Sequence, residues 1–130
     1  MIADTSFLID IMRGDEPAIN KEAAFERDGI HVSITTVTIF ELYVGFNLST
    51  RQIQERRKIE NVLENLIILP LDIESAKEAG KIYANKKRIG LAIDPEDAMI
   101  AGICRVNGEP IITGNVNHFS GIDGVSVETY

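Results

Sequence analysis

The first ten residues, MIADTSFLID (residues 1–10), place a carboxylate between an apolar segment and a helical pattern. The apolar start predicts a core strand, and the residues from Thr5 onward predict a helix that ends at Gly14. A carboxylate directly after a core strand needs a reason. In α/β proteins with parallel sheets, ligands bind outside the carboxyl ends of the strands. Asp4 therefore lies where a functional site is expected.

The rest of the chain alternates between strand-like and helix-like segments. Further strands are predicted at IHVSI, IILPL, PIIT and VSVET, of which IILPL is expected to be buried. Helices are predicted over residues 16–29, 35–48, 49–66, 72–90 and 94–108. This alternation predicts an α/β fold, a three-layer sandwich with a mostly parallel sheet of four or five strands between helices. We expect residues 1–130 to form one domain.

Composition limits the possible functions. The formal charge of −7 argues against a general nucleic-acid coat, which would be basic, but it does not exclude a nuclease with an acidic metal site. The single cysteine, Cys104, lies in the apolar segment AMIAGICRV and is predicted to be a buried hydrophobic residue. No signal peptide and no apolar run of about 20 residues is visible, so a cytoplasmic protein without a membrane partner is expected.

Glu41 is the only formally charged side chain in residues 29–50. On the predicted helix it shares a face with Val37, Val44 and Leu48, at offsets of minus four, plus three and plus seven. A carboxylate on an apolar face has a desolvation cost of several kcal/mol unless a metal cation or a basic side chain compensates it. The alternative is that Glu41 emerges at the rim and is solvated.

Asp97 belongs to a group of three acids at the start of the helix predicted in DPEDAMIAG. Helix capping and the helix dipole explain Asp94, and they also account for Glu96. Three neighbouring acids exceed what capping requires, and like charges at this spacing repel one another unless a cation or solvent screens them. Asp97 also directly precedes core residues. Capping and catalysis both stay open for this residue.

The segment IITGNVNHF carries polar residues after another predicted strand. Asn115 could orient a water or a carboxylate, or it could form an Asx turn. His118 is interpreted as a packing residue of a loop, because the sequence has no zinc-ligand spacing. Carboxylates brought together from distant segments would suit Mg²⁺ or Mn²⁺ and could activate a water. Serine, cysteine and phosphate-loop mechanisms lack their motifs.

Four segments, MIADTSFLID, TTVTIFELYVG, PEDAMIAG and PIITGNVNHF, resemble in order and spacing the PIN-domain ribonucleases, and more narrowly the VapC toxins of toxin–antitoxin pairs. The resemblance covers essentially the whole chain. It implies an endoribonuclease that depends on Mg²⁺ or Mn²⁺. By the same resemblance, Asp4, Glu41 and Asp97 match metal-holding acids. Asn115 stands where the family carries a fourth acid or Asn, and is expected to assist.

The resemblance also implies supporting residues and partners. Thr5, Ser6 and Thr113 match hydroxyl positions that steady the acids or the bound water. RNA is the implied substrate, the protein is implied to form a homodimer, and a VapB-like antitoxin is implied to cover the active site. Two alternatives stay open within the family: an RNA-processing nuclease that is not a toxin, and a catalytically weak module that binds a partner.

Two other protein classes also collect aspartates at strand ends. A phosphoacceptor signalling domain requires an acid pair after the first strand and a lysine after a late strand, and neither is present. A haloacid-dehalogenase-type phosphatase requires a second aspartate where this chain has Ser6. Two basic runs, STRQIQERRK and NKKR, are the only dense ones; solvated helix faces are the simpler interpretation, and RNA contacts are the alternative.

Overall fold

A computed structural model describes residues 1–130 and contains five strands and seven helices. The strands are β1 (Ile2–Ala3), β2 (Ser33–Thr35), β3 (Ile67–Leu69), β4 (Ile111–Ile112) and β5 (Val127–Glu128). The helices are α1 (Thr5–Met12), α2 (Glu16–Arg27), α3 (Thr36–Leu48), α4 (Gln52–Leu63), α5 (Ile73–Arg88), α6 (Pro95–Asn107) and α7 (Val116–Phe119). All neighbouring strands pair in parallel, in the order β3-β2-β1-β4-β5. The predicted α/β fold is confirmed.

The sheet separates two apolar clusters, one on each face. Ile2 and Ile111 pack into the cluster formed with α5, α6 and α7. Their strand neighbours Ala3 and Ile112 belong to the other cluster, formed with α1, α2 and α4. Successive side chains of a strand point to opposite faces, so two-residue strands suffice to supply both layers. Helices thus cover both faces, as a parallel sheet requires.

The strand order creates a switch point beside β1. The chain moves outward from β1 through β2 to β3, and then returns to place β4 on the other side of β1. Asp4 directly follows β1 and Thr113 directly follows β4, and the Asp4 N–H donates to the Ile112 carbonyl at 2.9 Å. Crevices at such switch points, outside the carboxyl ends of the strands, are where α/β proteins bind ligands.

Burial differs from the sequence expectation at β3. The segment IILPL does contain a strand, but Ile67 is 57% exposed and Ile68 48% exposed. The reason is position: β3 lies at the edge of the sheet and pairs only with β2. The prediction for Cys104 is confirmed, because the thiol is buried and burial raises its pKa to about 12. None of the seven helices combines the length and hydrophobicity needed to cross a bilayer.

Candidate active site

The acids at Asp4, Glu41 and Asp97 come from three separate elements and lie near enough for their charges to interact. Asp4 is the residue before α1, Glu41 lies in the second turn of α3, and Asp97 lies in the first turn of α6. Their proximity is visible in their electrostatics, since the Asp4 charge contributes to raising the pKa of both other carboxyls. Chain segments almost one hundred residues apart therefore supply one cluster.

The Asp4 carboxylate is held through one oxygen only. Its side chain is buried, with the residue 4% exposed, and Oδ2 accepts hydrogen bonds from Ser6 Oγ and Thr113 Oγ1, both at 2.7 Å. These hydroxyls accept in turn from the backbone N–H groups of Gly114, at 3.1 Å, and Asn115, at 2.9 Å. The backbone thereby directs both hydroxyl protons toward Asp4. Oδ1 receives no hydrogen bond from the protein.

Glu41 is held in the same manner by a chain of hydroxyls. Its Oε1 accepts from Thr5 Oγ1 at 2.7 Å. Thr5 Oγ1 lies 3.1 Å from Thr38 Oγ1, which lies 3.3 Å from Thr35 Oγ1, and Thr35 also caps α3 by accepting from the Thr38 N–H. Buried hydroxyls in a chain polarise one another and strengthen the terminal bond. Oε2 of Glu41 has no protein partner.

Asp97 has a single partner, His118. The two side chains meet at 2.9 Å between Asp97 Oδ2 and His118 Nδ1, with Asp97 13% exposed and the imidazole 47% exposed. Because the carboxylate can only accept, Nδ1 carries the donated proton. The interpretation of His118 as a loop packing residue is wrong: its neighbour Phe119 is the buried residue of α7, and His118 is turned toward the acid.

The three acids share one arrangement, with one oxygen bound by the protein and the other left without a protein partner. No lysine or arginine forms a salt bridge with Asp4 or Glu41, and Asp97 is paired only with His118. Burial is the largest cause that raises the pKa of Glu41 and of Asp97, and the neighbouring acids add to it. Concentrated negative charge with free carboxylate oxygens is what a hard divalent cation neutralises.

The carboxylate oxygens of the three acids are ligands that suit Mg²⁺ or Mn²⁺, but they do not enclose an ion on all sides. No three Asp, Glu, His or Cys side chains stand together as a complete metal-binding group. Mg²⁺ retains several waters and is commonly bound by one or two carboxylates together with substrate phosphates, so a closed protein cage is not required. The residues Asp4, Glu41 and Asp97 therefore fit such an ion by charge and by oxygen type.

Asn115 contributes its backbone rather than its amide. The side chain is exposed and makes no hydrogen bond, either to the acids or within an Asx turn, and the N–H is the group that contacts Thr113. At the neighbouring Gly114 there is little room for a side chain, because a Cβ atom would lie 2.7 Å from Tyr130 Oη. The segment IITGNVNHF did indicate this turn, but the sequence does not reveal which of its atoms are used.

Two further acids act on the cluster through their charge. Asp94 precedes α6 in the position of a cap, yet its side chain makes no capping hydrogen bond, so the predicted capping bond is absent. The charge of Asp94 contributes to raising the pKa of Asp97, and that of Glu96 contributes to raising the pKa of Glu41. The three acids of DPEDAMIAG thus all enlarge the negative potential of the site.

Comparison with known proteins yields consistent similarities. The model of the PIN domain family matches residues 1–125. The Shigella flexneri protein named tRNA(fMet)-specific endonuclease VapC is 30% identical over 127 residues, 98% of this chain and 95% of the relative. Ribonuclease VapC3 of Methanocaldococcus jannaschii is 32% identical over 78% of this chain and 95% of its own length.

A solved structure shows the same likeness in three dimensions. In the crystal structure of DNA-bound VapBC from Salmonella typhimurium, the similar chain has a TM-score of 0.88 and 26% sequence identity. The alignment covers 98% of this chain and 96% of that chain. The likeness in sequence and in fold therefore extends over nearly the full length of both proteins.

Proposed function

Because the chain belongs to the PIN-domain family, and within it to the VapC group, we propose that it is a metal-dependent endoribonuclease that acts as the toxin of a toxin–antitoxin pair. It hydrolyses phosphodiester bonds in RNA. One observation supports this function above the others: the Asp4 charge acts on both Glu41 and Asp97, and each of the three carboxylates keeps one oxygen free of protein contacts. No basic side chain neutralises Asp4 or Glu41.

Asp4, Glu41 and Asp97 would hold the Mg²⁺ or Mn²⁺ ion. When bound, such an ion polarises the scissile phosphate and lowers the pKa of a water. The surrounding side chains orient the acids for a cation, because hydroxyl donors engage one oxygen each of Asp4 and Glu41, and the His118 imidazole engages one oxygen of Asp97. These hydrogen bonds also fix which oxygen of each carboxylate faces the site.

The charge of the protein makes metal a condition of substrate binding as well as of chemistry. The chain carries a net charge of −7, and five of its 20 acidic side chains interact electrostatically where the phosphate must lie. Without a divalent ion this cluster repels RNA. RNA binding and cleavage should therefore both disappear when the metal is removed.

The test uses the purified protein without antitoxin, labelled RNA, and Mg²⁺ or Mn²⁺. We expect cleavage that EDTA abolishes and added metal restores, and we expect Asp4→Asn to lower the rate at least about a hundredfold, the effect of losing several kcal/mol of charge stabilisation. The proposal fails if Asp4→Asn cleaves RNA at the wild-type rate. Failure of the wild-type protein to cleave would favour a module that only binds a partner.

The partner of the site is a VapB-like antitoxin, as the similarity to the VapC group and to a VapBC complex supports. An RNA-processing nuclease without antitoxin is the alternative. The two differ in the adjoining reading frame, which for a toxin encodes a short DNA-binding protein. Co-expression with that protein should suppress cleavage, whereas a processing nuclease would stay active.

We further propose a cytoplasmic homodimer in which residues 1–130 act as one domain. Pairing is supported by an exposed apolar face on α3, where Phe40 is 57% exposed and Leu48 80% exposed. Of the three apolar residues predicted to share the face of Glu41, only Val37 is buried, whereas Val44 is 42% exposed and Leu48 80% exposed. Sedimentation of the wild type and of Leu48→Glu would test the pairing.

A further inference from the structure

The basic run at the end of α5 is not neutralised. Of the 13 lysine and arginine side chains, five contact a carboxylate: Lys21, Arg27, Lys77, Lys81 and Arg105. Lys86, Lys87 and Arg88 are not among them. They are free to meet an anion from outside the chain. Arg56, Arg57 and Lys58 of the other basic run also lack an acidic partner, so what distinguishes the run on α5 is its position.

The run also lies beside the candidate active site. Lys86 Nζ donates to the Ser120 carbonyl at 3.2 Å, directly after α7, the helix that carries His118. Lys87 Nζ lies 6.0 Å from the centroid of the Tyr83 ring. This contact keeps the ammonium group over an aromatic face without neutralising it.

A cavity of about 340 Å³ adjoins these side chains, within the size range of ligand pockets. Its lining includes Tyr83, Lys87 and Leu91, and it will be called the Tyr83–Lys87 cavity. A second cavity, of about 170 Å³, is lined by Asp97 and His118 among others. Both cavities include Ala92 and Ile93 in their walls, so the two adjoin at this segment. The two adjoining cavities together will be called the groove.

The chemistry of this groove matches a strand of RNA. Proteins that bind single-stranded nucleic acid combine cations along the backbone with aromatic rings on which bases stack. The Tyr83–Lys87 cavity offers a partly exposed ring, an unneutralised ammonium group and the apolar side chain of Leu91, which is 53% exposed. Its cations also oppose the repulsion that the acid cluster exerts on phosphate.

We propose that the Tyr83–Lys87 cavity binds the nucleotide next to the scissile phosphate of a single-stranded RNA. The base lies against Tyr83, and its phosphate contacts Lys87, with Lys86 adding charge. This inference rests on the proposed function and extends it, because it assigns a substrate contact outside the acid cluster. For the basic run NKKR, the proposal favours contact with RNA over a merely solvated helix face.

The first test compares Lys87→Glu with Lys77→Glu. Both lysines are exposed on α5, but Lys77 pairs with Glu74 at 3.6 Å and lies near the opposite end of the helix. With a labelled oligouridylate, Lys87→Glu should lower kcat/KM about tenfold. The slope of log(kcat/KM) against log[KCl] should become shallower by about 0.7, the value for one lost contact to single-stranded nucleic acid. Lys77→Glu should change neither quantity.

The second test separates stacking from folding. Tyr83→Ala should weaken oligouridylate cleavage about tenfold through KM, whereas Tyr83→Phe, which keeps the ring, should match the wild type. Melting curves of both variants accompany the rates. Because bis(p-nitrophenyl) phosphate has no flanking nucleotide, its hydrolysis with Mn²⁺ should fall much less than oligouridylate cleavage does in Tyr83→Ala and in Lys87→Glu.

The outcomes distinguish the inference from the function on which it rests. A wild-type salt slope in Lys87→Glu, or equal rates for Tyr83→Ala and Tyr83→Phe, overturns the nucleotide site while leaving the nuclease intact. Loss of antitoxin binding with normal RNA cleavage in Lys87→Glu also overturns it, in favour of an acidic peptide. If the wild type hydrolyses neither RNA nor the small phosphodiester, the proposed function itself fails.

Discussion

Asp4 and Asp97 carry the same carboxylate, but the fold holds them in opposite ways. Asp4 continues the hydrogen-bond pattern of the sheet, is nearly inaccessible, and receives two hydroxyl protons that the backbone directs. Asp97 lies on the first turn of a helix, is partly accessible, and has a single partner in a half-exposed imidazole. Asp4 is thus fixed at the ends of the strands, whereas the Asp97 carboxylate lies at the edge of the site and has fewer contacts that fix its orientation.

The difference indicates how stability and function are distributed in the site. Changes around Asp4 should alter both the free energy of unfolding and the rate, because its partners are buried parts of the sheet edge and of α1. Changes around Asp97 should alter metal use and rate while leaving the free energy of unfolding nearly constant. The following variants test this contrast, from the largest expected effect to the smallest.

Thr113→Val should have the largest effect. The substitution removes a hydroxyl that donates 2.7 Å to Asp4 Oδ2 in a buried environment, and leaves that oxygen with one donor. We expect the free energy of unfolding to fall by about 2 kcal/mol, the value for a hydrogen bond to a charged group, and cleavage to fall at least tenfold. Urea unfolding and RNA cleavage would measure the two effects. Thr113→Ser, which keeps the hydroxyl, is the control and should retain most of both.

Gly114→Ala also tests the surroundings of Asp4, through the backbone turn whose Gly114 N–H donates to Ser6 Oγ. The new methyl group would lie 2.7 Å from Tyr130 Oη, so either the Tyr130 side chain or the turn that orients Ser6 must shift. We expect a loss of about 1 kcal/mol in the free energy of unfolding, the low end of the range for overpacked sites, because the crowded atom ends a side chain. Tyr130→Phe removes the crowding oxygen, and the double variant should recover part of the loss. Strict additivity of the two changes would contradict this explanation.

His118→Leu should affect the Asp97 side alone. Loss of the imidazole leaves Asp97 Oδ2 without its hydrogen-bond donor, so the orientation of the carboxylate is no longer fixed. We expect a several-fold rise in the Mn²⁺ concentration needed for half-maximal cleavage, weaker Mn²⁺ binding in electron paramagnetic resonance, and an unchanged melting temperature because the imidazole is half exposed. His118→Asn places an amide N–H near Nδ1 and should restore part of the affinity. A large fall in the melting temperature of His118→Leu would contradict the idea that changes around Asp97, unlike those around Asp4, leave stability unchanged.

The smallest effect is a dependence of stability on pH in the metal-free protein. Burial and neighbouring acids raise the pKa of Glu41 above 4.5 and that of Asp97 above 3.8 in the folded state. The folded state therefore binds these protons more tightly than the unfolded state. The resulting stabilisation is complete below the ordinary pKa values and is lost as the pH rises through the raised values. Urea unfolding from about pH 4 upward should show this decline, and Glu41→Gln combined with Asp97→Asn should flatten it.

The sequence indicated much of this architecture from local patterns alone. The apolar start followed by Asp4 predicted a strand end at a ligand site, and the alternation of elements predicted a parallel sheet. The isolated charge at Glu41 and the excess acids around Asp97 marked two further side chains of the cluster. These inferences succeeded because strand and helix periods, helix ends and the cost of burying charge are properties of short segments.

The tertiary structure alone decided which atoms of those side chains are engaged. It placed β3 at an edge, where Ile67 stays exposed, turned His118 toward Asp97, and used the backbone of Asn115 instead of its amide. It also joined the end of α5 to the groove beside the acids. These features depend on contacts between segments far apart in the chain, and a local pattern contains no information about which distant group completes a hydrogen bond or covers a face.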